Sequence, residues 1–317
     1  MRLRVAGSHL LFATLLAILI GLNASQAVAQ ATPDEQSPHF NAETTLVLVP
    51  AIVTDPLNRF VLGLQKEDFR LLEDGAEQTI VQISGEDAPL SVGLVFDTSG
   101  SMGDKLRTSR QAALRFLTTM NSQDEAFLIQ FSDHAQLAVD FTNQSDEIQN
   151  SLTGVQPGGL TAMLDGAELA LRQMKKAKNP RKAILIISDG GDNNSKYKAA
   201  EIESLVREAD VQVYAMGIFE PSIIPTLTSE EVSGPKLLSE LAEQTGGRAF
   251  SASDPSDLPN VAVRIGIELR NQYVLAYSPK NRKKDGKYRK VEVRVNKPAG
   301  IPDLKVHWRL GYYAASQ

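Results

Sequence analysis

Carboxylate and hydroxyl side chains stand at three places where the sequence changes from an apolar run to a polar loop. Asp97, Ser99 and Ser101 come directly after one apolar run, and Asp189 comes directly after another. Thr161 lies between them, just before a helical pattern. In an open parallel sheet the loops at the carboxyl ends of the strands converge at one edge, so we expect these side chains to meet there.

These side chains offer only oxygen atoms as metal ligands. Hard oxygen ligands favour Mg2+, with Mn2+ as a substitute. Two carboxylates at most neutralise a divalent ion, and hydroxyls add no charge. The ion would therefore stay electrophilic and could accept a further oxygen, for instance from a partner carboxylate.

Each segment also has a purely structural explanation. Asp97, Ser99 and Ser101 could cap the helix that follows, and Thr161 could cap the next one, because such residues are favoured at helix N-termini. Asp189 and the two glycines after it could form an ordinary turn. The combination of the three segments favours a metal site.

The same segments carry recognisable motifs. The D-x-S-x-S of 97–101, the T-A-M-L-D-G of 161–166 and the I-I-S-D-G of 186–190 resemble the metal-ion-dependent adhesion site of von Willebrand factor type A domains. The resemblance covers about residues 89–271. The flanking β segments resemble a group of bacterial exported proteins in which this domain lies between short β regions.

The resemblance implies a use for each side chain. Ser99, Ser101 and Thr161 would ligate Mg2+ directly, whereas Asp97 and Asp189 would act directly or through water. An acidic side chain of a protein ligand would complete the coordination shell. The expected function is Mg2+-dependent protein binding, in adhesion or as a scaffold, without enzymatic activity.

The region 87–271 alternates apolar runs with amphipathic segments. Strands are predicted at 91–97, 125–131, 135–141, 182–188, 211–218 and 247–251. Helices are predicted at 104–122, 145–152, 162–177, 197–209, 235–245 and 255–271. The pattern predicts a doubly wound, mostly parallel α/β sheet with helices on both faces.

Segments rich in β-forming residues flank this region. They cover 44–64 and 68–84 on one side, and 272–279, 287–296 and 304–314 on the other. Neither side is long enough to bury a stable core alone. We predict one β-sandwich split into residues 42–86 and 272–317, with the α/β domain inserted between its halves.

The N-terminus has the features of a cleaved secretory signal, with two arginines, an apolar run from about Leu10 to Leu22 and an A-x-A end at Ala29. The apolar run is shorter than the roughly 20 residues that a membrane span needs. We therefore expect a signal peptide over 1–29, a flexible linker over 30–41, and a periplasmic or secreted protein without a stable membrane span.

The composition excludes several functions. The chain has no cysteine, which rules out disulfides, thiolate nucleophiles and cysteine-based zinc sites. Its formal charge of −5 would become −7 after loss of the signal, which removes two positive charges and no negative ones. An acidic chain is a poor candidate for binding nucleic acid.

Two alternative functions stay open. A metal-dependent hydrolase would need a general base, for which Asp192 is the obvious candidate. A purely structural module would use the metal only to tie loops together. Asp192 could instead reach the site through water from just outside the ligands, or be a solvated loop acid, and Asp165 is predicted to lie on a helix surface or just outside the ligands. A triad of Ser132, Asp133 and His134 is disfavoured because neighbours in one turn rarely adopt triad geometry.

Two further segments are predicted to lie on the surface. The stretch 280–290 contains seven lysines or arginines and is predicted to form a solvated hairpin tip, or to contact an anionic partner. The segment 220–234 is predicted to be a long loop on the metal face that determines specificity.

Overall fold

The computed structural model describes residues 46–85, 88–218, 229–252, 254–296 and 303–316. Its strands are β1 Val47–Thr54, β2 Phe69–Glu73, β3 Ala76–Gln78, β4 Ile80–Ser84, β5 Leu90–Asp97, β6 Glu125–Phe131, β7 Ala135–Thr142, β8 Arg181–Ser188, β9 Gln212–Ile218, β10 Ala249–Ala252, β11 Tyr273–Tyr277, β12 Tyr288–Val295, β13 Lys305–Trp308 and β14 Gly311–Tyr313. Its α-helices are α1 Leu106–Leu117, α2 Ser145–Leu152, α3 Met163–Met174, α4 Ala199–Glu208, α5 Ser229–Gln244 and α6 Leu258–Arg270.

The central sheet has the strand order β10-β9-β8-β5-β6-β7. Its neighbouring strands are parallel except for β6 and β7. Helices α1, α2 and α6 pack on one face, and α3, α4 and α5 pack on the other, so that the apolar strands are covered on both sides. The predicted doubly wound, mostly parallel sheet is therefore confirmed.

Strand β5 lies in the middle of this sheet, between β6 and β8. The chain leaves β5 towards β6 and later returns to β8 on the opposite side, which makes β5 a topological switch point. The loops after β5 and β8 diverge there, and the crevice between them is the usual ligand position in such sheets.

Two antiparallel four-stranded sheets flank the central region, with the orders β13-β1-β11-β4 and β14-β12-β2-β3. Each combines strands from before and after the α/β region. The two sheets share one apolar core, to which Val53 and Leu71 contribute from the N-terminal side and Leu275 and Val293 from the C-terminal side. The prediction of β regions flanking an α/β fold is confirmed, and the exact domain limits stay a prediction.

The basic stretch 280–290 does not form the tip of a hairpin. It connects β11 in one antiparallel sheet to β12 in the other, so the two strands are not paired. Most of its side chains are exposed, as predicted for a solvated segment. Arg289 is the exception, since it is 5% exposed and lies 2.8 Å from the Asp285 carboxylate.

Helix α5 corrects the predicted loop over 220–234. The sequence pattern predicts a helix over 235–245, after a loop over 220–234. The helix begins at Ser229 instead and contains Pro235. A proline removes one backbone hydrogen bond, and the helix continues on both sides of it here.

Several predicted segments fall wholly or partly outside the described residues. They include the signal peptide 1–29, the linker 30–41, the first part of the predicted loop, residues 220–228, and residues 42–45 and 297–302 of the predicted sandwich. Within the ranges that the structure describes, no helix combines the length and the apolar character needed to cross a membrane.

Candidate metal centre

Asp97 ends strand β5 and has no solvent exposure. Its Oδ1 accepts a hydrogen bond from Ser99 N at 2.8 Å, and its Oδ2 accepts one from the Ser188 hydroxyl at 2.6 Å. Burial, and next the negative charge of Asp189, raise the pKa of Asp97 to about 7 despite these bonds. The protein's own groups therefore do not fully stabilise the negative charge at this position.

Ser99 and Ser101 follow on the loop that enters a short 3-10 helix, Gly100–Lys105. Their hydroxyl oxygens lie 3.0 Å apart, with Ser99 buried and Ser101 exposed. The Ser99 side chain makes no capping hydrogen bond, and neither does that of Lys105, which precedes α1. Helix capping therefore does not explain the two serines.

The loop before Thr161 is bonded to the loop after β5 through its backbone. Gly158 N donates to Thr98 O at 2.9 Å, and Gly100 N donates to Gly159 O at 3.0 Å. These bonds fix the second loop against the first. The two segments that the sequence singled out are therefore neighbours in the fold.

Thr161 is buried and is held by the loop after β8. Its N–H donates to Asn193 Oδ1 at 2.9 Å, and its carbonyl oxygen accepts from Asn193 N at 3.0 Å and Asn194 N at 3.1 Å. Ala162, not Thr161, precedes the first residue of α3. Thr161 therefore joins the second loop to the third and does not cap the helix.

Asp189 directly follows β8 and is 7% exposed. Its Oδ2 lies 3.3 Å from the Nζ of Lys105, with which it forms an ion pair. Its Oδ1 is buried and has no hydrogen-bond partner among the residues that the structure describes. A buried carboxylate oxygen without a partner costs free energy, and a cation would satisfy it.

Asp192 and Asp165 tie the third loop to the start of helix α3. The Oδ2 of Asp192 accepts from Leu164 N at 2.8 Å and from the Ser195 hydroxyl at 2.6 Å. The Oδ1 of Asp165 accepts from Lys196 N at 2.8 Å. Both carboxylates thus accept hydrogen bonds from backbone N–H groups and join the third loop to helix α3. Their position just outside the candidate ligands stays a prediction.

The donor set suits a hard divalent cation. Three hydroxyls and two carboxylates supply neutral and anionic oxygen atoms, as Mg2+ requires. In the described part of the chain, no group of three or more His, Cys, Asp or Glu side chains is arranged to hold a metal. The feature that suits Mg2+ is the set of oxygen-only side chains on the three loops.

Sequence reasoning missed three residues that shape this site. Ser188 donates to Asp97, Asn193 binds the backbone of Thr161, and Lys105 pairs with Asp189. Ser188 stands inside the I-I-S-D-G motif and could have been found there. The other two carry no local signal, because their contacts arise only when the loops converge.

The turn at residues 132–134 does not assemble a triad. The Oδ1 of Asp133 accepts a hydrogen bond from Leu160 N at 2.8 Å, which attaches the turn to the second loop. No hydrogen bond joins the Asp133 carboxylate to His134 in the described ranges. This arrangement is structural and leaves the predicted site as the main candidate.

Comparisons with known proteins concern the fold of the central region. Residues 92–191 match the sequence profile of the von Willebrand factor type A domain. A solved von Willebrand factor type A structure from Catenulispora acidiphila has a TM-score of 0.50 at 13% identity, over 78% of this chain and 73% of that chain. Residues 92–191 are therefore similar to the von Willebrand factor type A domain, and the central sheet and its helices have that fold.

Curated relatives match over shorter stretches. An uncharacterized protein of Borreliella burgdorferi is 25% identical over 182 residues, or 51% of this chain and 53% of that protein. The inter-alpha-trypsin inhibitor heavy chain H4 of Bos taurus is 28% identical over 134 residues, or 38% of this chain and 15% of that protein. The chain thus spans about half, or less, of the length of these relatives.

Proposed function

We propose that this protein is an exported, Mg2+-dependent binding module that captures an acidic side chain of a partner protein. The observation that carries the proposal is the buried Oδ1 of Asp189, which has no hydrogen-bond partner in the described ranges. It belongs to a carboxylate whose charge already raises the pKa of Asp97. Two buried acids with too few donors are stabilised by a divalent cation.

The candidate ligands would contribute two kinds of oxygen atom to this site. Ser99, Ser101 and Thr161 would contribute neutral hydroxyls, and Asp97 and Asp189 would contribute the two negative charges. Bound Mg2+ would supply an electrophilic centre. Because two carboxylates only neutralise its charge, the site would favour one further anionic oxygen from outside, such as a Glu or Asp side chain of the partner.

A binding role is favoured over hydrolysis by the position of Asp192. Its Oδ2 accepts two hydrogen bonds, from Leu164 N and from the Ser195 hydroxyl. A carboxylate used in this way holds the loop, so we assign Asp192 a positioning role rather than that of a general base. We therefore propose that the protein is not an enzyme.

The flanking sandwich would hold the type A domain at a fixed position. In this proposal, the segment 1–29 directs export, and the two antiparallel sheets space the domain from the cell envelope or dock it there. The sandwich contains strands from both ends of the described chain. The sandwich could therefore connect the type A domain to the envelope or to another protein and leave the metal face free.

A capture experiment tests the proposal. Mature wild-type protein and the Asp97→Ala variant are incubated with envelope extract, each in Mg2+ or in chelator. We expect partner proteins to be retained only by the wild type in Mg2+, and the same captured set in all four samples would overturn the proposal. If Mg2+ raises the melting temperature but chelation leaves capture unchanged, a purely structural metal replaces the binding role.

A further inference from the structure

Lys105 is a positive charge that the fold places at the candidate metal centre. It is the last residue of the 3-10 helix Gly100–Lys105, four positions after the candidate ligand Ser101. Its Nζ lies 3.3 Å from the Oδ2 of Asp189, a partner 84 residues away in the sequence. The helix therefore carries a neutral candidate ligand at its start and a cation at its end.

The ion pair is shielded from water on both sides. The side chain of Lys105 is 19% exposed and that of Asp189 is 7% exposed. Partial burial makes the attraction stronger than in an exposed surface pair, where solvent screens it. The ammonium is therefore a substantial part of the charge balance at this site.

The charge balance differs with and without a divalent ion. Asp97, Asp189 and Lys105 together give a formal charge of −1 when both acids are ionised. Adding Mg2+ changes this to +1. Without the lysine, the same ion would give a neutral site, so Lys105 opposes the metal by like-charge repulsion and by occupying Asp189 Oδ2.

Only one of the two Asp189 oxygens is paired in this way. Oδ2 contacts the ammonium, whereas Oδ1 is buried and has no hydrogen-bond partner among the described residues. Lys105 thus pairs with only one of the two oxygens of the Asp189 carboxylate. A small cation can still bind at Oδ1, but it must share the Asp189 carboxylate with Lys105 or displace the lysine from it.

We propose that Lys105 is a tethered cation that competes with the divalent ion for Asp189 and thereby weakens its binding. This inference rests on the proposed function, because it assigns Mg2+ to that same site. It deepens that function, since a metal site left with a net positive charge has a stronger need for the partner carboxylate. Metal and partner are then expected to bind cooperatively.

Calorimetric titration of the full chain with MgCl2 tests this inference. The variant Lys105→Gln removes the charge, and Lys105→Ala is a second neutral variant. Arg107→Gln is the matched control, since Arg107 is exposed, two positions further on, and has no ion pair in the described part of the chain. Circular dichroism checks that each variant is folded.

We expect Lys105→Gln to bind Mg2+ about fivefold more tightly than the wild type, as for removal of one partly shielded competing charge. Arg107→Gln should bind as the wild type does. Equal or weaker binding by both neutral Lys105 variants would overturn the inference and show that the lysine orients Asp189. Failure of the wild type and all variants to bind Mg2+ would overturn the proposed function as well.

Discussion

Two regions of this protein bury carboxylates in different ways. In the sandwich, Glu73 is 2% exposed, and its Oε2 accepts hydrogen bonds from the hydroxyls of Tyr277 at 2.7 Å and Tyr312 at 2.8 Å. At the carboxyl ends of the central strands, Asp97 is fully buried and is exposed to the negative charge of Asp189. Both acids accept two hydrogen bonds from neutral donors, but only Asp97 also faces a second acid.

The difference separates a carboxylate that protein donors satisfy from one that we propose as a metal ligand. Burial, and next its hydrogen bond to Glu73, raise the pKa of Tyr277. Burial, and next a separate hydrogen bond to Glu73, raise the pKa of Tyr312. Both hydroxyls therefore stay protonated donors. Donors from two strands thus satisfy Glu73 without any ligand.

Asp97 accepts hydrogen bonds from Ser99 N and the Ser188 hydroxyl but also faces the charge of Asp189. The Oδ1 of Asp189 has no hydrogen-bond partner among the described residues, so we expect a divalent cation to stabilise the pair.

The largest expected effect is the loss of Glu73. The variant Glu73→Ala would leave the buried hydroxyl of Tyr277 and the half-buried hydroxyl of Tyr312 without this acceptor, so we expect the free energy of unfolding to fall by about 3 kcal/mol. Urea denaturation measures this loss in the free energy of unfolding. Glu73→Gln keeps an acceptor oxygen and should lose about half as much.

Glu77 provides the control for this change. It lies on the neighbouring strand β3, and its side chain is 54% exposed and pairs with Arg70. Because an exposed pair contributes little, Glu77→Ala should change the free energy of unfolding by less than about 0.5 kcal/mol. Similar losses in Glu73→Ala and Glu77→Ala would contradict a special role for the buried acid.

The second effect concerns the pH dependence of the metal-free protein. Because the pKa of Asp97 rises from 3.8 to about 7, the native state keeps its proton at pH values where the unfolded chain has lost it. The native state then binds more protons, so its free energy of unfolding falls as pH rises through this window. We expect a loss of about 3 kcal/mol between about pH 5 and pH 8.

Asp97→Asn isolates this contribution. Urea unfolding of both proteins after removal of metal should show the decline with pH in the wild type and a smaller decline in the variant. Parallel curves for the two proteins would mean that Asp97 is stabilised by protein groups, as Glu73 is. The contrast between the two regions would then fail.

The elements of the central sheet could be predicted because buried parallel strands are continuous apolar runs. The strand predicted at 91–97 is Leu90–Asp97, and the one predicted at 182–188 is Arg181–Ser188. The candidate ligands could be chosen for the same reason, since they directly follow such runs. The long-range contacts could not be predicted, because Glu73 and Tyr277 are 204 residues apart and no local pattern links them.

Lys105 and helix α5 show the other limit of sequence reasoning. A lysine at the end of a short helix is ordinary, and its contact with Asp189 depends on how two loops converge. The start of α5 at Ser229 was missed because Pro235 is a strong local signal for a helix start. In both cases the tertiary environment, rather than local preference, determines the structure.

The third effect is stabilisation by Mg2+. At a concentration one hundred times its dissociation constant, an ion that binds only the native state adds about 2.7 kcal/mol to the free energy of unfolding. We expect this gain in the wild type and in Glu73→Gln, but not in Asp189→Ala. Loss of the response in Glu73→Gln would show that the two regions are coupled and not separate.

The smallest effect tests whether helix α5 positions the metal loop. A Cβ atom on Gly234 would lie 2.2 Å from the carbonyl oxygen of Gly190, the residue after Asp189. Gly234→Ala must therefore shift the loop, and we expect Mg2+ to bind about threefold more weakly, a change of about 0.7 kcal/mol. Gly154→Ala is the control because its Cβ meets nothing within 4 Å. If calorimetry gives one affinity for both variants, the loop tolerates the shift, and the site depends on its own hydrogen bonds rather than on α5.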